Sequence, residues 1–249
     1  MGAILKIGIS RPDKKNSLTP QMMRDLAGAF DRLETEEDAR VGVVYGEGGN
    51  FTAGLDLLEF VGILTGEEEQ KPFPGIDPMQ LKQRCTKPLI AAVSGTVYTV
   101  GIELALACDM IVAADDCIFS QLETSRGIMV SGGGTVRWVQ QCGWGNAMHH
   151  LLTGRRFDSA EALRIGLVQE VTLSEALLTR ADELAQQIAA NAPFAVRETK
   201  LSALQYLSEG EDAVFSVVEE TQARLAKTAD AMEGALAMME RRPPGFKGV

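Results

Sequence analysis

Residues Lys87 to Asp109 read KPLIAAVSGTVYTVGIELALACD, and the order of residue types within them decides the fold class. Pro88-Leu89-Ile90-Ala91-Ala92-Val93 is a continuous apolar run of strand length, the pattern of a buried strand. Ser94-Gly95 breaks it. Gly101-Ile102-Glu103-Leu104-Ala105-Leu106-Ala107-Cys108 reads as a short helix of small residues packed tightly on that strand, and Met110-Ile111-Val112-Ala113 is the next strand. Strand, helix and strand in succession favour a layered α/β arrangement.

Working outward, residues 4–9 read as a strand and Arg11-Pro12 with Asn16-Ser17 as a loop. Thr19-Pro20 is a helix start, with Thr as N-cap and Pro in the first position. Met23, Leu26, Phe30 and Leu33 follow at helical spacing, so this helix buries one face. Val41 to Tyr45 is a strand that stops at Gly46-Glu47-Gly48-Gly49. Phe51 to Glu59 holds a turn and a helix start. Residues 62–80, with Glu67, Glu68, Glu69, Pro72, Pro74, Gly75 and Pro78, read as a mobile surface segment, either a lid or a solvated insertion. Gly132-Gly133-Gly134 opens another helix. From about Ser159 the composition turns helical. Ser159-Ala160-Glu161-Ala162 is a capped start, Gly166 a stop, and Leu167-Val168 with Val171 a short extended link. Leu173 to Ala190, Phe194 to Leu207 and Asp212 to Glu240 are mostly helical, interrupted at Pro193, Gly210 and Gly234. The tail from Arg241 to Phe246 is irregular.

The chain has 249 residues, enough to bury a substantial core. Hydrophobic residues make up 45% and charged residues 23%, which excludes disorder for most of its length. Lys and Arg number 24 against 34 Asp and Glu, a formal charge of -10, so general nucleic-acid binding is not expected. The four cysteines, Cys85, Cys108, Cys117 and Cys142, form no CxxC pair. The two histidines are neighbours, His149 and His150, and neighbours on a helix point to different sides; no metal site is expected. Nothing at the N-terminus reads as a signal peptide, and the longest weakly polar stretch, Pro88 to Ile102, falls short of a membrane span. The expectation is a cytoplasmic protein without a membrane partner.

Glu103 stands in an otherwise apolar helix. A carboxylate there either faces a cleft or is paired with a nearby Arg, because burial alone disfavours its charge. Glu123 follows Phe119-Ser120-Gln121-Leu122 beside a strand end, and composition alone leaves it equally a loop acid or N-cap. Two glycine-bearing turns, Thr52-Ala53-Gly54-Leu55-Asp56 and Tyr98-Thr99-Val100-Gly101, precede helices. Backbone N–H groups at helix starts have no intrahelical partner and suit a developing negative charge. Ser94, Ser125 and Ser131 lack a nearby His, which argues against a serine triad. Cys108 and Cys117 lie in apolar runs and read as core residues.

Together these motifs resemble the crotonase family, the enoyl-CoA hydratases and isomerases. The likeness runs from about Ile4 to Val171, with a looser match to the C-terminal helices. It is carried by Arg11-Pro12 with Asn16, by Phe51 to Asp56, and by Lys87 to Gly95 leading into Gly101 to Asp109. Phe119 to Glu123, Gly127, the 132–134 glycine run, Leu151-Leu152-Thr153-Gly154, and Ala160-Glu161-Ala162 with Gly166-Leu167-Val168 complete it.

The resemblance implies an α/β fold of crotonase type, a spiral of ββα turns over residues 1–190. A helical region, 191–249, would then build a homotrimer or homohexamer. It implies a coenzyme A thioester as ligand and no separate cofactor, since coenzyme A is part of the substrate. Two backbone N–H groups hold the thioester oxygen in that family; by motif position these are Leu55 and Val100, with Ala53, Gly54, Asp56, Tyr98 and Gly101 as neighbouring substrate-binding residues. Hydratases of the family use two glutamates, and both matching positions carry one, Glu103 and Glu123. The implied activity is hydration of a 2-enoyl-CoA thioester. The alternatives are an isomerase using one acid and a non-catalytic acyl-CoA-binding homologue. Lys14, Lys15 and Lys87 are candidates for the coenzyme A phosphates, and Arg241 sits where some members place a Lys contributed by a neighbouring subunit. Three departures stand out. Thr99-Val100-Gly101 replaces a run of glycines, the usual Pro after the second Glu motif is replaced within Gly127-Ile128-Met129-Val130-Ser131, and Tyr98 brings a bulky ring near the cleft.

Overall fold

The apolar run at 89–93 is a strand whose five residues are all buried, and the rest of the chain winds around it. A computed structural model describes residues 2–69 and 71–249. The strands are β1 (Ile4–Ile9), β2 (Val41–Gly46), β3 (Leu89–Val93), β4 (Thr96–Tyr98), β5 (Met110–Ala114), β6 (Ile118–Ser120), β7 (Phe157–Asp158) and β8 (Glu170–Thr172). The helices are α1 (Pro20–Thr35), α2 (Leu57–Thr65), α3 (Val100–Ala107), α4 (Gly134–Thr153), α5 (Ser159–Arg164) and α6 (Leu177–Ala189), followed by α7 (Pro193–Glu209), α8 (Glu211–Leu225) and α9 (Ala229–Glu240).

Each turn of the spiral places one strand in a parallel sheet of order β1-β2-β3-β5-β8, bends, adds a short extended piece to a second layer, and returns through a helix. In the second layer Leu18 bridges Leu55 and Thr52 bridges Val97. There β4 runs parallel to β6, with Thr96 opposite Ile118, and β7 pairs antiparallel with β6. The bend between β3 and β4 needs glycine. Gly95 has φ 53, and a Cβ there would lie 2.2 Å from the Gly49 carbonyl oxygen. Asn16 ties two other bends together. Its Oδ1 accepts the Arg11 N–H at 2.7 Å, and its Nδ2 donates to the carbonyls of Glu47 and Asn50 at 2.8 and 2.7 Å.

The start of α1 follows its sequence signals: Thr19 Oγ1 accepts the Met22 N–H, Pro20 holds the first position, and Met23, Leu26, Phe30 and Leu33 are buried. Three expectations are corrected. The cap of α5 is Asp158, which accepts the Glu161 N–H; Ser159 instead donates to the Ala114 carbonyl. Gly234 lies inside α9, and the break falls earlier, where Thr228 caps that helix. Residues 62–80 are not one surface segment. α2 continues to Thr65, and Ile76, Met79 and Gln80 are buried, with Gln80 bonded to the Cys85 N–H and the Ala107 carbonyl. Gln70 lies outside the described residues.

The C-terminal helices attach differently from the rest. No side chain of α7 or α8 is buried. α7 is held by ion pairs from Arg197 to Glu34 and from Lys200 to Asp109, and Arg40 donates to the carbonyls of Ala189 and Phe246. Phe215, Met232, Met238 and Met239 stand exposed on α8 and α9. Among the described residues no helix is long and apolar enough to cross a membrane.

Candidate active site

The two glycine-bearing turns meet. A Cβ on Gly54 would lie 2.1 Å from Thr99 Oγ1, and one on Gly101 would lie 2.6 Å from Thr52 Cγ2, so neither position has room for a side chain. Gly54 also has φ 101, which favours glycine. In the first turn Thr52, Ala53, Gly54 and Asp56 donate their N–H groups to Thr96, Lys15, Thr52 Oγ1 and Leu18 respectively. In the second, Tyr98 and Thr99 donate to Thr52 and Ser120. Leu55, and Val100 at the start of α3, donate to no acceptor among the described residues. Most backbone donors in a folded chain are paired, so these two N–H groups on touching turns are available to an oxygen acceptor. Thr99 carries the strain of this geometry, at φ 51 and ψ -121, a region that a β-branched residue avoids. The replaced glycine run thus places its unfavourable backbone at Thr99, while Val100 is helical.

Glu103 lies in α3, 3% exposed, and its Oε1 accepts the N–H of Gly134 at 2.9 Å, at the start of α4. A Cβ on Gly132 would fall 2.8 Å from its Oε2, so the glycine run makes the notch that holds this carboxyl. Burial pushes its pKa up to about 7. The Gly134 N–H pulls it down, and the negative charge of Glu123 pushes it up again, so the two carboxyls feel one another. Glu123, 6% exposed, follows β6. Its Oε1 accepts a hydrogen bond from Gln121 Nε2 at 3.0 Å; its Oε2 is buried with no partner among the described residues. Burial raises this carboxyl as well.

These observations remove the plainer readings of both acids. Glu103 makes no ion pair among the described residues, since Arg137 gives its guanidinium to the Gln80 carbonyl instead. Glu123 is buried, and although it stands at the N-cap position of the short 3-10 helix Thr124–Arg126, its side chain makes no capping hydrogen bond.

Other candidates sort by contact. Asp56 is bound to Arg11 at 2.7 Å, and that hydrogen bond, followed by the charge of the guanidinium, holds its pKa below the ordinary range. The Arg156 guanidinium lies 5.7 Å from the Tyr98 ring centre. Lys14 and Lys15 are exposed. Lys87 is buried and donates to the Glu36 carbonyl, so it is not a solvated charge. Arg241 ends α9 with an exposed side chain. The cysteines are free thiols; burial pushes Cys85, Cys117 and Cys142 up to about 12, and Cys108 higher still. His150 packs between Trp138 and Phe157 as a core histidine. Among the described residues no group of three or more His, Cys, Asp or Glu is placed to hold a metal.

Sequence reasoning missed Gln121 and Trp138. Gln121 had a signal: in an extended segment residues two apart share a face, so it stands beside Glu123.

A two-layer spiral of this form is the crotonase fold. A solved structure of a "probable enoyl-CoA hydratase/isomerase" from Mycobacterium abscessus matches it with a TM-score of 0.97 at 41% identity, covering 100% of this chain and 96% of that one. The family model for enoyl-CoA hydratase/isomerase matches residues 1–249, and the chain belongs to that family. It is 34% identical over 249 residues to enoyl-CoA hydratase EchA19 of Mycobacterium tuberculosis, covering 99% of this chain and 94% of the relative. It is 35% identical over 254 residues to the carnitinyl-CoA dehydratase of Proteus mirabilis, covering 99% and 96%.

Proposed function

We propose that the chain adds water across the double bond of a 2-enoyl-CoA thioester. The observation that carries this reading is the second buried carboxyl: Glu123, whose charge acts on Glu103, with both carboxyls raised above their ordinary values chiefly by burial. Moving a double bond needs one acid to carry a proton between carbons. Adding water needs a proton taken from water and a proton delivered to carbon, and two carboxyls both raised by burial suit both transfers. Water oxygen bonds to C3 as one of its protons passes to the ionised carboxylate of the pair. The C=C π electrons move toward the thioester, and the protonated carboxyl of the pair gives its proton to C2, to be replaced by the proton taken from water. Negative charge gathers on the thioester oxygen meanwhile, and the Leu55 and Val100 N–H groups receive it. Each such donor lowers the barrier by roughly 3–4 kcal/mol. Ala53, Gly54, Asp56, Tyr98 and Gly101 shape the two turns around the thioester, and Arg241 meets coenzyme A from a neighbouring subunit. No cofactor is required.

Assembly through residues 191–249 into a trimer, or a pair of trimers, belongs to the same proposal. The exposed apolar side chains of α8 and α9 support it.

Incubating the protein with a panel of 2-enoyl and 3-enoyl thioesters tests the reaction. The expected product of a 2-enoyl thioester is heavier by one water and has lost the conjugated absorbance. A 3-enoyl thioester converted at unchanged mass, with no hydration of any 2-enoyl chain, makes the protein an isomerase. Binding without turnover on the whole panel makes it a non-catalytic homologue.

A further inference from the structure

Behind Glu123 the side chains form a line that the chemistry above does not use. Trp138, fully buried in α4, donates its indole N–H to Gln121 Oε1 at 3.1 Å, and Gln121 donates through Nε2 to Glu123 Oε1 at 3.0 Å. An indole only donates, whereas an amide accepts at one end and donates at the other. The indole therefore fixes which way the Gln121 amide faces: its oxygen meets Trp138, so its NH2 group meets Glu123. Turned over, the amide would set N–H against N–H and oxygen against carboxylate, two repulsive contacts in a buried place. The indole is itself held from behind, 5.6 Å from the His150 ring and 6.0 Å from the Phe157 ring.

We propose that Trp138 is a positioning residue for Glu123, acting through Gln121. It keeps the amide in the sense that clamps Oε1 and leaves Oε2, buried and without a partner among the described residues, as the oxygen that faces the reacting water. This deepens the hydratase reading and rests on it. An amide N–H on Oε1 favours the ionised carboxylate against the opposing effect of burial. The other charged groups acting on the pair are Arg126, Arg137 and the two glutamates themselves, and all of them survive in the variants below.

The test compares wild type, Trp138→Phe, Gln121→Met and the double variant by kcat/KM against pH on a 2-enoyl thioester that the wild type hydrates. Phenylalanine keeps an aromatic ring and removes the N–H. Gln121→Met should move the limb of the profile set by Glu123 upward by about one pH unit, the loss of one hydrogen bond to a charged group. Trp138→Phe should move it the same way by less, because the amide then keeps Glu123 but loses the partner that holds it. Turnover should fall roughly tenfold with KM little changed. The double variant should be no worse than Gln121→Met alone, because Trp138 acts only through the amide. An unmoved profile with losses that add, as a tryptophan of purely structural importance would give, overturns the proposal.

A second measurement needs no variant at position 138. The chain has two tryptophans, and Trp144 is exposed. The indole N–H resonance of Trp138 should titrate with the midpoint of the Glu123 limb and stop doing so in Glu123→Gln. A flat resonance overturns the proposal. Absence of hydration by wild type overturns the hydratase reading instead, and the resonance still reports whether Trp138 senses Glu123.

Discussion

Glu103→Gln and Glu123→Gln are each expected to lower turnover by about a hundredfold or more while thioester binding survives. A glutamine keeps the shape and still accepts one hydrogen bond, so Gly134 N–H and Gln121 Nε2 retain their partners. What it loses is the proton that has to be taken up or given back. For Glu103 the same substitution should raise stability. Burial pushes this carboxyl from an ordinary 4.5 to about 7 in the folded chain. Between those values the folded state holds a proton that the unfolded state has released, so stability falls as pH rises through that window, and above it the whole cost is present. Glu103→Gln carries none of this cost. It should therefore be more stable than wild type at about pH 8, by on the order of 3 kcal/mol, and differ little at about pH 4. Denaturant titration at the two pH values checks it. Full activity in either variant removes that glutamate from the mechanism, and an equal stability change at both pH values removes the buried charge as its cause.

Gly54→Ala is expected to lower kcat and kcat/KM together by roughly a hundred- to a thousandfold, the loss associated with one misplaced oxyanion donor. The new Cβ would start 2.1 Å from Thr99 Oγ1, at a φ of 101 that an alanine rarely adopts. Relief of both faults means moving the 52–56 turn away from the 98–101 turn, which separates the Leu55 and Val100 N–H groups. Gly28→Ala is the matched control. It sits inside α1 with nothing within 4 Å of the added atom, and it should leave activity unchanged and stability equal or slightly higher. Steady-state kinetics on the pair decides the matter. A Gly54→Ala enzyme with wild-type kcat means that these amides do not hold the thioester oxygen.

Much of this arrangement is legible in the sequence because its signals are local. Thr19-Pro20 and the spacing of Met23, Leu26, Phe30 and Leu33 define α1 without reference to any other segment. The lone acid in an apolar helix marks Glu103 for the same reason. What is not legible depends on pairing between distant segments. β4 and β7 are three and two residues long, too short to show an alternating pattern, and they exist because β6 lies between them. That layer also brings Glu123 close to Glu103: β6 lies parallel to β4, which leads directly into α3. Residues 76–80 end a stretch rich in proline and acids, yet Ile76 and Met79 are buried and Gln80 finds backbone partners. Lys87 resembles a solvated charge until the fold closes over it.

The most direct measurement is a crystal structure with a saturated acyl-CoA, which binds like substrate and cannot react. The account predicts a thioester oxygen about 3 Å from both the Leu55 and Val100 nitrogens. It also predicts one water within hydrogen-bond reach of the Glu103 and Glu123 carboxyls together, on the acyl carbon side. A thioester oxygen bound away from those amides, or a water held by only one of the two acids, would contradict it.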